Sequence, residues 1–356
     1  MKLLHIIPGL EMGGAETVLV QLSHALQSRG IVQQVVSLGG RGSYSGEIEA
    51  NGIEVTHLGL RRGYDVVGGI VRLTRLVASR RPDLIQGWMY HGNIAAAISH
   101  RLAPGRKSRR LYWNLRASNV DAERYRWVVA VSARLSRWPD AVVANSVAGA
   151  DYHVKMGFAP RRLEVITNGV DAEKFCPDPQ VRAAIRSELG IAGDKVVVIH
   201  VARVDPMKDH AAMLDVAAQL PHIEAVLVGK GTENLKVPAN VRALGLRHDV
   251  ARLCAAADIV VSTSRFGEGF SNALAEGMSC GLVPVATDVG DARSIVGDTG
   301  HIVAPGDIKG LVAKIQEEAS ANAALRQSRG LRARERMIRL FTLDRVAESF
   351  ARLYGA

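Results

Sequence analysis

The sequence predicts an α/β protein that consists of two doubly wound domains, each a parallel sheet with helices on both faces. Three observations support this prediction. The 356 residues suffice for two domains of ordinary size. Short apolar runs alternate with amphipathic segments along the chain, which is the pattern of βα units. A turn-rich stretch with two prolines, residues 168–180, separates two series of such units and predicts an interdomain linker.

The N-terminal series predicts a domain over residues 1–170. It begins with a buried apolar run, a glycine-bearing loop and a helix from about Ala15 to Arg29, which Gly30 ends. The apolar runs predict strands at 2–7, 32–38, 53–58, 83–88, 110–115, 141–146 and 163–167.

The C-terminal series predicts a second domain over residues 171–341. Its apolar runs predict strands at 195–203, 223–229, 240–245, 258–264 and 282–287. The tail from about Ala321 to Leu353 has a helical pattern that breaks near Phe341 and Thr342. A last helix after such a break can pack anywhere, including back on the first domain, over residues 342–356.

Composition argues against a disordered or membrane-spanning protein. Apolar residues make up 47% of the chain, and the mean hydropathy is +0.06. No apolar run reaches the roughly 18 residues of a spanning helix. The N-terminus meets Pro8 and Glu11 too early for the apolar core of a signal peptide. The three cysteines are too widely spaced for a disulfide framework, so we expect a cytoplasmic protein.

The positive charge belongs to the N-terminal half. Residues 1–170 hold 22 Lys and Arg against 12 Asp and Glu, whereas residues 171–356 hold 23 of each. An anionic membrane surface, an anionic substrate or nucleic acid would each explain this excess, and so would a merely solvated, Arg-rich surface. The residues that we assign to acceptor or membrane contact are Arg106, Lys107, Arg109, Arg110, Arg116 and Trp127.

The stretch EGFSNALAE, residues 268–276, follows a predicted strand and contains two carboxylates. Ser271 or Asn272 is a plausible N-cap for a helix that Gly281 ends. A helix N-terminus at the carboxyl end of a strand offers free N–H groups to an anion. Glu268 would lie at that crevice, and Glu276 could accept from vicinal hydroxyls of a sugar or ribose. The alternative is that both are ordinary surface acids.

Two cations and several glycines follow other strands. Arg203 and Lys208, in VARVDPMKDH, could hold a diphosphate through a guanidinium and an ammonium, or could be surface cations. Gly13 and Gly14 precede the first helix, where glycines let backbone N–H groups approach a phosphate. Gly229 also lies in a glycine-bearing loop at a strand end, but alone it is a less specific indication of a phosphate site.

One histidine and the absence of several known motifs also bear on the function. His91 lies just past a predicted strand, where it is either an active-site imidazole or a structural residue. The sequence has no GxxxxGK[ST] loop, HExxH or paired CxxC motif. It also lacks a DxD pair for a divalent metal, so Arg203 and Lys208 would have to neutralise any diphosphate leaving group.

Together these motifs resemble the retaining nucleotide-sugar glycosyltransferases of family four. The resemblance covers most of the chain. The elements that carry it are MGGAE, ANS, NGVD, VARVDPMKDH, ALGLRHDV, EGFSNALAEGMSCGLVPVATDVGD and GHIVAPGD, in this order. It implies the GT-B fold, in which two Rossmann-like doubly wound domains face a central cleft and the C-terminal helix crosses back to the first domain. The first domain would bind the acceptor and the second the donor.

The resemblance also implies roles for individual residues. Glu276 would bind the ribose of the donor and Glu268 would act at the donor sugar. Arg203 and Lys208 would neutralise the diphosphate, and His91 would lie near the reacting sugar. The remaining donor contacts would come from Gly13, Gly14, Gly229, Gly245, Leu246, Arg247, Phe270, Ser271 and Asn272, largely through backbone groups.

The resemblance implies transfer of a sugar with retention, by front-face attack of an acceptor hydroxyl, without a metal or another cofactor. We expect a UDP-sugar as donor, with a GDP-sugar as the second choice. We expect a saccharide acceptor carried on a polyprenyl pyrophosphate at the inner face of the plasma membrane, in bacterial polysaccharide assembly, and no nucleic acid. Two alternatives stay open, namely a sugar-nucleotide epimerase of the same fold and a non-enzymatic basic protein that binds membranes or nucleic acid.

Overall fold

The computed structural model describes residues 1–60, 65–116 and 122–356, the side chains of residues 122–124 excepted. The chain forms two compact units. The first comprises Met1–Asn168 together with Leu343–Ala356, and the second comprises Gly169–Thr342. The acceptor and donor roles that the sequence predicts for the two domains stay predictions.

The first unit is built on a seven-stranded parallel sheet with the strand order β3-β2-β1-β4-β5-β6-β7. Its strands are β1 Lys2–Ile7, β2 Val32–Ser37, β3 Glu54–His57, β4 Leu84–Trp88, β5 Arg110–Leu115, β6 Ala141–Ala144 and β7 Leu163–Val165. Its helices are α1 Gly14–Gln27, α2 Ser45–Ala50, α3 Val66–Arg80, α4 Met89–Leu102, α5 Ala122–Leu135, α6 Val147–Lys155 and, from the end of the chain, α14 Leu343–Tyr354.

The second unit is built on a six-stranded parallel sheet with the order β10-β9-β8-β11-β12-β13. Its strands are β8 Val197–Val201, β9 Glu224–Val228, β10 Val241–Ala243, β11 Ile259–Ser262, β12 Val283–Thr287 and β13 His301–Val303. Its helices are α7 Pro179–Glu188, α8 His210–Gln219, α9 Val250–Ala256, α10 Asn272–Ser279, α11 Ala292–Val296, α12 Ile308–Ser320 and α13 Ala323–Leu340.

Both sheets are apolar on both faces, because successive strand residues point to opposite sides. In β1, Leu3 packs in one apolar cluster and Leu4 in the other. In β8, Val197 likewise packs in one apolar cluster and Val198 in the other. Helices cover each face, so every sheet has two cores.

The predicted linker is not a free connection. Val170 and Phe175 are 2% and 5% exposed and belong to an apolar cluster of the second unit. The Val170 N–H also donates to the Phe341 carbonyl oxygen at 2.7 Å. The turn-forming residues of 168–180 therefore mark irregular backbone that packs on the second unit, with Phe175 as its apolar anchor.

The helical tail breaks where the sequence predicts it. The helix α13 ends at Leu340, and α14 then packs on the first unit through Phe350 and Tyr354, both 0% exposed. Burial of each ring contributes about 1.5–3 kcal/mol. The Tyr354 hydroxyl donates to the Gln86 side chain, which ties α14 to β4. Among the helices that the structure describes, none combines the length and the apolar character needed to cross a bilayer.

Candidate functional site

The donor-binding residues that the sequence predicts in the second unit share one edge of its sheet. Arg203 and Lys208 follow β8, Gly229 follows β9 and Gly245 follows β10, while Glu268 follows β11. Because all these strands are parallel, their carboxyl ends meet at the same edge. Segments that are far apart in sequence are thus brought together there.

Lys208 and Glu268 form a partly buried ion pair at this edge. The Lys208 ammonium donates to Glu268 Oε1, and the two side chains are 20% and 11% exposed. Lys208 ends a short 3-10 turn, in which the Asp205 carboxylate accepts from the Met207 N–H at 3.0 Å. Ser264 Oγ donates to the same Glu268 oxygen at 3.0 Å. The carboxylate is therefore fixed beside the cation.

Arg203 is the second cation of the pair that the sequence predicts. Its side chain is 64% exposed, and its Nη2 lies 3.0 Å from Asp205 Oδ2. Both Arg203 and Lys208 therefore have a carboxylate counter-ion. A diphosphate at this edge has to compete with Asp205 and Glu268 for the two cations.

The helix α10 starts at the same edge and presents its N-terminus there. Ser271 occupies the N-cap position of α10, and its side chain makes no capping hydrogen bond to this helix. Its first N–H groups can thus serve an anion, as the sequence suggests. Phe270 is 5% exposed, and its ring packs against Phe341 with centroids 5.4 Å apart. Phe270 therefore anchors the loop, and only its backbone is available to a ligand.

Glu276 lies in the second turn of α10. Burial raises the pKa of its carboxyl group to about 7, and the nearby Lys174 offsets part of this effect. Near neutral pH such a group can donate a hydrogen bond as well as accept one. It suits a pair of hydroxyls better than a fully solvated acid would.

Glycines let the loops of this edge approach one another. Gly229 has a φ of +144°, and a Cβ there would lie 2.1 Å from the Ala202 carbonyl oxygen. Gly290, after β12, has a φ of +62°, and its Cβ would lie 2.4 Å from the Glu268 carbonyl oxygen. These positions require glycine, because a side chain would displace the loops that carry Arg203 and Glu268.

The segment of Gly245, Leu246 and Arg247 offers mainly its backbone. The Arg247 guanidinium donates to Asp249 at 2.7 Å through both Nε and Nη2, and to Glu188 at 3.2 Å. Hydrogen bonds to these carboxylates raise the pKa of Arg247. The Arg247 side chain is therefore already paired with carboxylates. The Leu246 side chain, in contrast, is 53% exposed. A nucleobase at this segment would meet backbone groups and an apolar side chain.

The sequence analysis missed two residues of this edge, Ser264 and Gly290. Ser264 could have been found, because the polar run STS ends the strand that leads to Glu268. Gly290 carries no local signal, since its need for glycine arises from contact with the distant Glu268 loop.

In the first unit, Gly13, Gly14, His91 and Arg116 follow the carboxyl ends of three adjacent strands, β1, β4 and β5. Gly13 is the N-cap residue of α1, and a Cβ there would lie 2.4 Å from a Glu16 carboxylate oxygen. Nothing lies within 4 Å of the Cβ position at Gly14. The start of α1 is thus open on the Gly14 side, as a ligand-binding loop requires.

His91 lies in the first turn of α4, which begins directly after β4. Met89 makes this sharp strand-to-helix turn with a φ of 55°, a value that is unfavourable for a residue with a side chain. A Cβ on Gly92 would lie 2.6 Å from the Ile6 carbonyl oxygen. The start of α4 therefore packs closely on β1 and holds the exposed His91 at the carboxyl ends of the strands.

Arg116 carries a largely desolvated charge. Its guanidinium lies over the Trp88 ring, 4.9 Å from the centroid, and Nη1 donates to the Asn168 side chain. Its Nε and Nη2 are buried and have no hydrogen-bond partner among the described residues. Burial lowers the pKa of Arg116 to about 9, so the group still carries a positive charge at pH 7.

The other predicted acceptor residues lie elsewhere. Arg106, Lys107, Arg109 and Arg110 precede or begin β5 and therefore lie at the opposite edge of the sheet from His91 and Arg116. The expectation that Arg109 is a surface contact is wrong. This residue is 6% exposed and donates to the Ala103 and Pro104 carbonyl oxygens at 3.3 and 3.2 Å, so it holds its own loop together.

Trp127, in contrast, is 76% exposed on α5, with the Arg126 guanidinium 5.3 Å from its ring centroid. Val131 and Arg134 follow at spacings of four and three residues and are also exposed. They share one helix face with Trp127, and Trp138 is 39% exposed just beyond the helix. Aromatic, aliphatic and basic groups thus form one exposed stripe.

His301, Glu317 and Glu318 are residue types that can bind a metal, and their side-chain atoms lie within 4.8 Å of one another. Glu318 already pairs with Arg329 at 2.6 Å and Glu317 with Lys314 at 2.9 Å. These cations neutralise the cluster, which lies at the start of β13 and thus at the opposite edge from Glu268. We assign no metal to it.

Two family models match the chain, one in each half. The model for "Glycosyltransferase Family 4" matches residues 12–174, and the model for "Glycosyl transferases group 1" matches residues 195–319.

Curated relatives match the chain in part or along its whole length. The D-inositol 3-phosphate glycosyltransferase of Mycobacterium sp. (strain KMS) is 31% identical over 188 residues, which are 48% of this chain and 42% of the relative. The match to this relative thus spans less than half of its length. The lipopolysaccharide core biosynthesis glycosyltransferase LpsE of Rhizobium meliloti (strain 1021) is 26% identical over 370 residues, covering 100% of this chain and 99% of the relative.

A solved structure matches the whole fold. The crystal structure of Anabaena HepE in complex with UDP-glucose aligns with a TM-score of 0.87 at 24% identity, covering 100% of this chain and 99% of that chain. This likeness confirms the predicted GT-B fold.

Proposed function

Because the chain belongs to the family 4 glycosyltransferases, we propose that it transfers a sugar from a nucleotide-diphosphate sugar to an acceptor hydroxyl, with retention of configuration at the anomeric carbon. The observation that carries this proposal is the ion pair of Lys208 and Glu268 at the same sheet edge as the N-terminus of α10. It combines a cation for a phosphate, a helix N-terminus and a carboxylate within one sheet edge.

The donor would bind along this edge. Glu276 would accept from the ribose hydroxyls, and the backbone of residues 245–247 would hold the base. The α10 N–H groups, Arg203 and Lys208 would surround the diphosphate. We propose UDP as the nucleotide, since HepE, which shares the fold, was solved with UDP-glucose. A GDP-sugar is the second candidate.

In the reaction, the bond between the anomeric carbon and the diphosphate oxygen breaks, and the acceptor oxygen attacks from the same face. Negative charge then develops on the leaving phosphate, and positive charge on the sugar ring. Arg203 and Lys208 would stabilise the former, so that no metal is needed, and Glu268 would stabilise the latter. The departing phosphate oxygen would take the proton of the acceptor hydroxyl.

The acceptor would bind to the first unit, with His91 and Arg116 at the carboxyl ends of its strands. The largely desolvated charge of Arg116 favours an acceptor with an anionic group. We propose a saccharide carried on a pyrophosphate-linked lipid, in bacterial polysaccharide assembly, since LpsE is named for lipopolysaccharide core biosynthesis. The stripe on α5 would bind the anionic inner face of the plasma membrane.

The test is turnover of a panel of UDP- and GDP-sugars with lipid-linked saccharide acceptors, followed by NMR of the product's anomeric proton. We expect one donor to give an α-linked product from an α-linked donor, and only when an acceptor is present. Conversion of the donor without an acceptor would instead indicate the epimerase.

The variant Glu268→Gln separates chemistry from binding. We expect its kcat to fall at least about a hundredfold, because charge stabilisation at the sugar is lost. Its affinity for UDP should stay equal or rise, since Lys208 loses a competing carboxylate. A large loss of UDP affinity in this variant would contradict the proposed division of roles.

A further inference from the structure

Thr263 and Arg265, which follow β11, make four contacts with the loop of Lys208. Thr263 is 1% exposed, and its Oγ1 lies 2.8 Å from the Lys208 carbonyl oxygen and 3.1 Å from that of Asp209. The Arg265 N–H donates to the Met207 carbonyl oxygen at 2.9 Å. The Arg265 guanidinium also pairs with the Asp209 carboxylate at 3.1 Å. Thr263 and Arg265 therefore hold the backbone from residue 207 to residue 209.

The loop needs this support because of its geometry at Asp209. This residue has φ 48° and ψ 58°, the left-handed conformation, which most residues with a Cβ avoid and which aspartate adopts more readily than they do. Asp209 also caps α8, where its carboxylate accepts from the Ala212 N–H at 3.3 Å. The loop thus passes from Lys208 into α8 through a strained residue, which persists only when surrounding contacts fix it.

The Thr263 hydroxyl has one proton, so it can donate fully to only one carbonyl oxygen at a time. His200 Nε2 lies 3.4 Å from the Thr263 oxygen and can donate to it in the tautomer protonated at that nitrogen. The hydroxyl proton then stays directed at the loop. This arrangement connects β8, β11 and the Lys208 loop through a single buried side chain.

We propose that Thr263 is a positioning residue that fixes the Lys208 backbone so that its ammonium meets the donor diphosphate, with Arg265 as a second support. This inference rests on the proposed function, because it assigns Lys208 to the diphosphate. It concerns residues that the sequence motifs leave unassigned. The same strand exit also holds Glu268 through Ser264, so one segment positions both charged groups.

The first test compares UDP with uridine, which lacks the diphosphate. In Thr263→Val, which keeps the shape but lacks the hydroxyl, we expect UDP to bind about five- to tenfold more weakly and uridine to bind unchanged. Thr263→Ser should restore UDP affinity to within about twofold of the wild type. Equal losses for UDP and uridine would overturn the proposal, since they would indicate general damage to the unit.

The second test asks whether Thr263 acts through Lys208. In a Lys208→Ala background, Thr263→Val should weaken UDP binding by less than about twofold, because the group that it positions is gone. Additive losses in the double variant would overturn the proposal.

Thr299→Val is the matched control. Thr299 is 7% exposed and its hydroxyl donates to the Val296 carbonyl oxygen at 2.7 Å, away from the predicted donor edge. The melting temperature of Thr299→Val should fall as much as that of Thr263→Val, but its affinity for UDP should equal that of the wild type. If Thr263→Val does not fold, Arg265→Gln, at a side chain that is 60% exposed, should weaken UDP binding but not uridine binding. A wild type that binds neither UDP nor GDP would overturn the proposed function and, with it, this inference.

Discussion

Burial of the Glu276 carboxyl group lowers the free energy of unfolding at high pH. A buried carboxyl group with a pKa of about 7 binds its proton more tightly in the folded than in the unfolded chain. Between pH 4.5 and 7 the folded state therefore keeps a proton that the unfolded state has lost. The free energy of unfolding falls as the pH rises through this window, and the loss is complete above pH 7.

The substitution Glu276→Gln tests this linkage. Glutamine resembles the protonated acid, so the variant and the wild type should unfold at similar temperatures at pH 5. At pH 8 we expect the variant to be more stable by about 2 kcal/mol, because it avoids a buried charge. Thermal unfolding at both pH values measures this. The same variant should bind UDP more weakly at pH 8, since the ribose loses a carboxylate acceptor, and unchanged UDP affinity would contradict the role of Glu276.

At the scale of elements, the candidate site is made by the exits of parallel strands and by the glycines that let these exits touch. The strand β11 leads to Glu268, and the loop after β12 supports this glutamate through Gly290. The strand β8 leads to Lys208. None of these loops has regular structure of its own beyond single turns, so their mutual contacts determine where the charged groups lie.

The substitution Gly290→Ala isolates one of these contacts. A φ of +62° costs about 1 kcal/mol for alanine, and the new Cβ would also displace the Glu268 loop. We expect kcat to fall at least tenfold. Gly190→Ala is the control, because Gly190 has a φ of +64° and nothing within 4 Å of its Cβ position. It should lose similar stability and keep its activity, whereas equal activity of the two variants would contradict this interpretation.

The sequence alone predicted most of the strands and the order of the motifs along the chain. Apolar runs predicted twelve of the strands, whereas β13, His301–Val303, was not among them. Local pattern could not predict pairs such as Lys208 with Glu268, which arise from strand order. The local sequence pattern also failed to predict the burial of Arg109, because this residue belongs to a run of basic residues that looks uniformly exposed. The predicted linker contains the boundary between the two units, after Asn168, but its turn-rich pattern did not show that Val170 and Phe175 pack on the second unit.

At the scale of the whole molecule, the chain divides its charge unevenly, and the N-terminal half carries the whole excess of +10. A cation near an anionic bilayer contributes about 1 kcal/mol of attraction, so a cluster gives reversible attachment. The stripe of Trp127, Val131, Arg134 and Trp138 adds aromatic groups that favour the interface.

Sedimentation with vesicles tests this surface. We expect the wild type to bind vesicles with about 30% anionic lipid at low salt and to dissociate at high salt, because the attraction is screened. Replacing Trp127 and Trp138 by Gln should weaken binding severalfold. The same change at Leu325 and Leu331, which are 44% and 45% exposed on α13, should have no effect. Equal binding to neutral vesicles would argue against an electrostatic attachment.

The return of α14 to the first unit has a consequence for biosynthesis. The second unit is one continuous segment, Gly169–Thr342, whereas the first needs residues from both ends of the chain. During translation the whole second unit is therefore synthesised before the residues that close the core of the first, among them Phe350 and Tyr354. Until residues 343–356 are synthesised, the side of α1 that α14 covers stays uncovered. A stop codon before residue 343 would thus leave the first unit, the older part of the nascent chain, without α14 and exposed to chaperones and proteases.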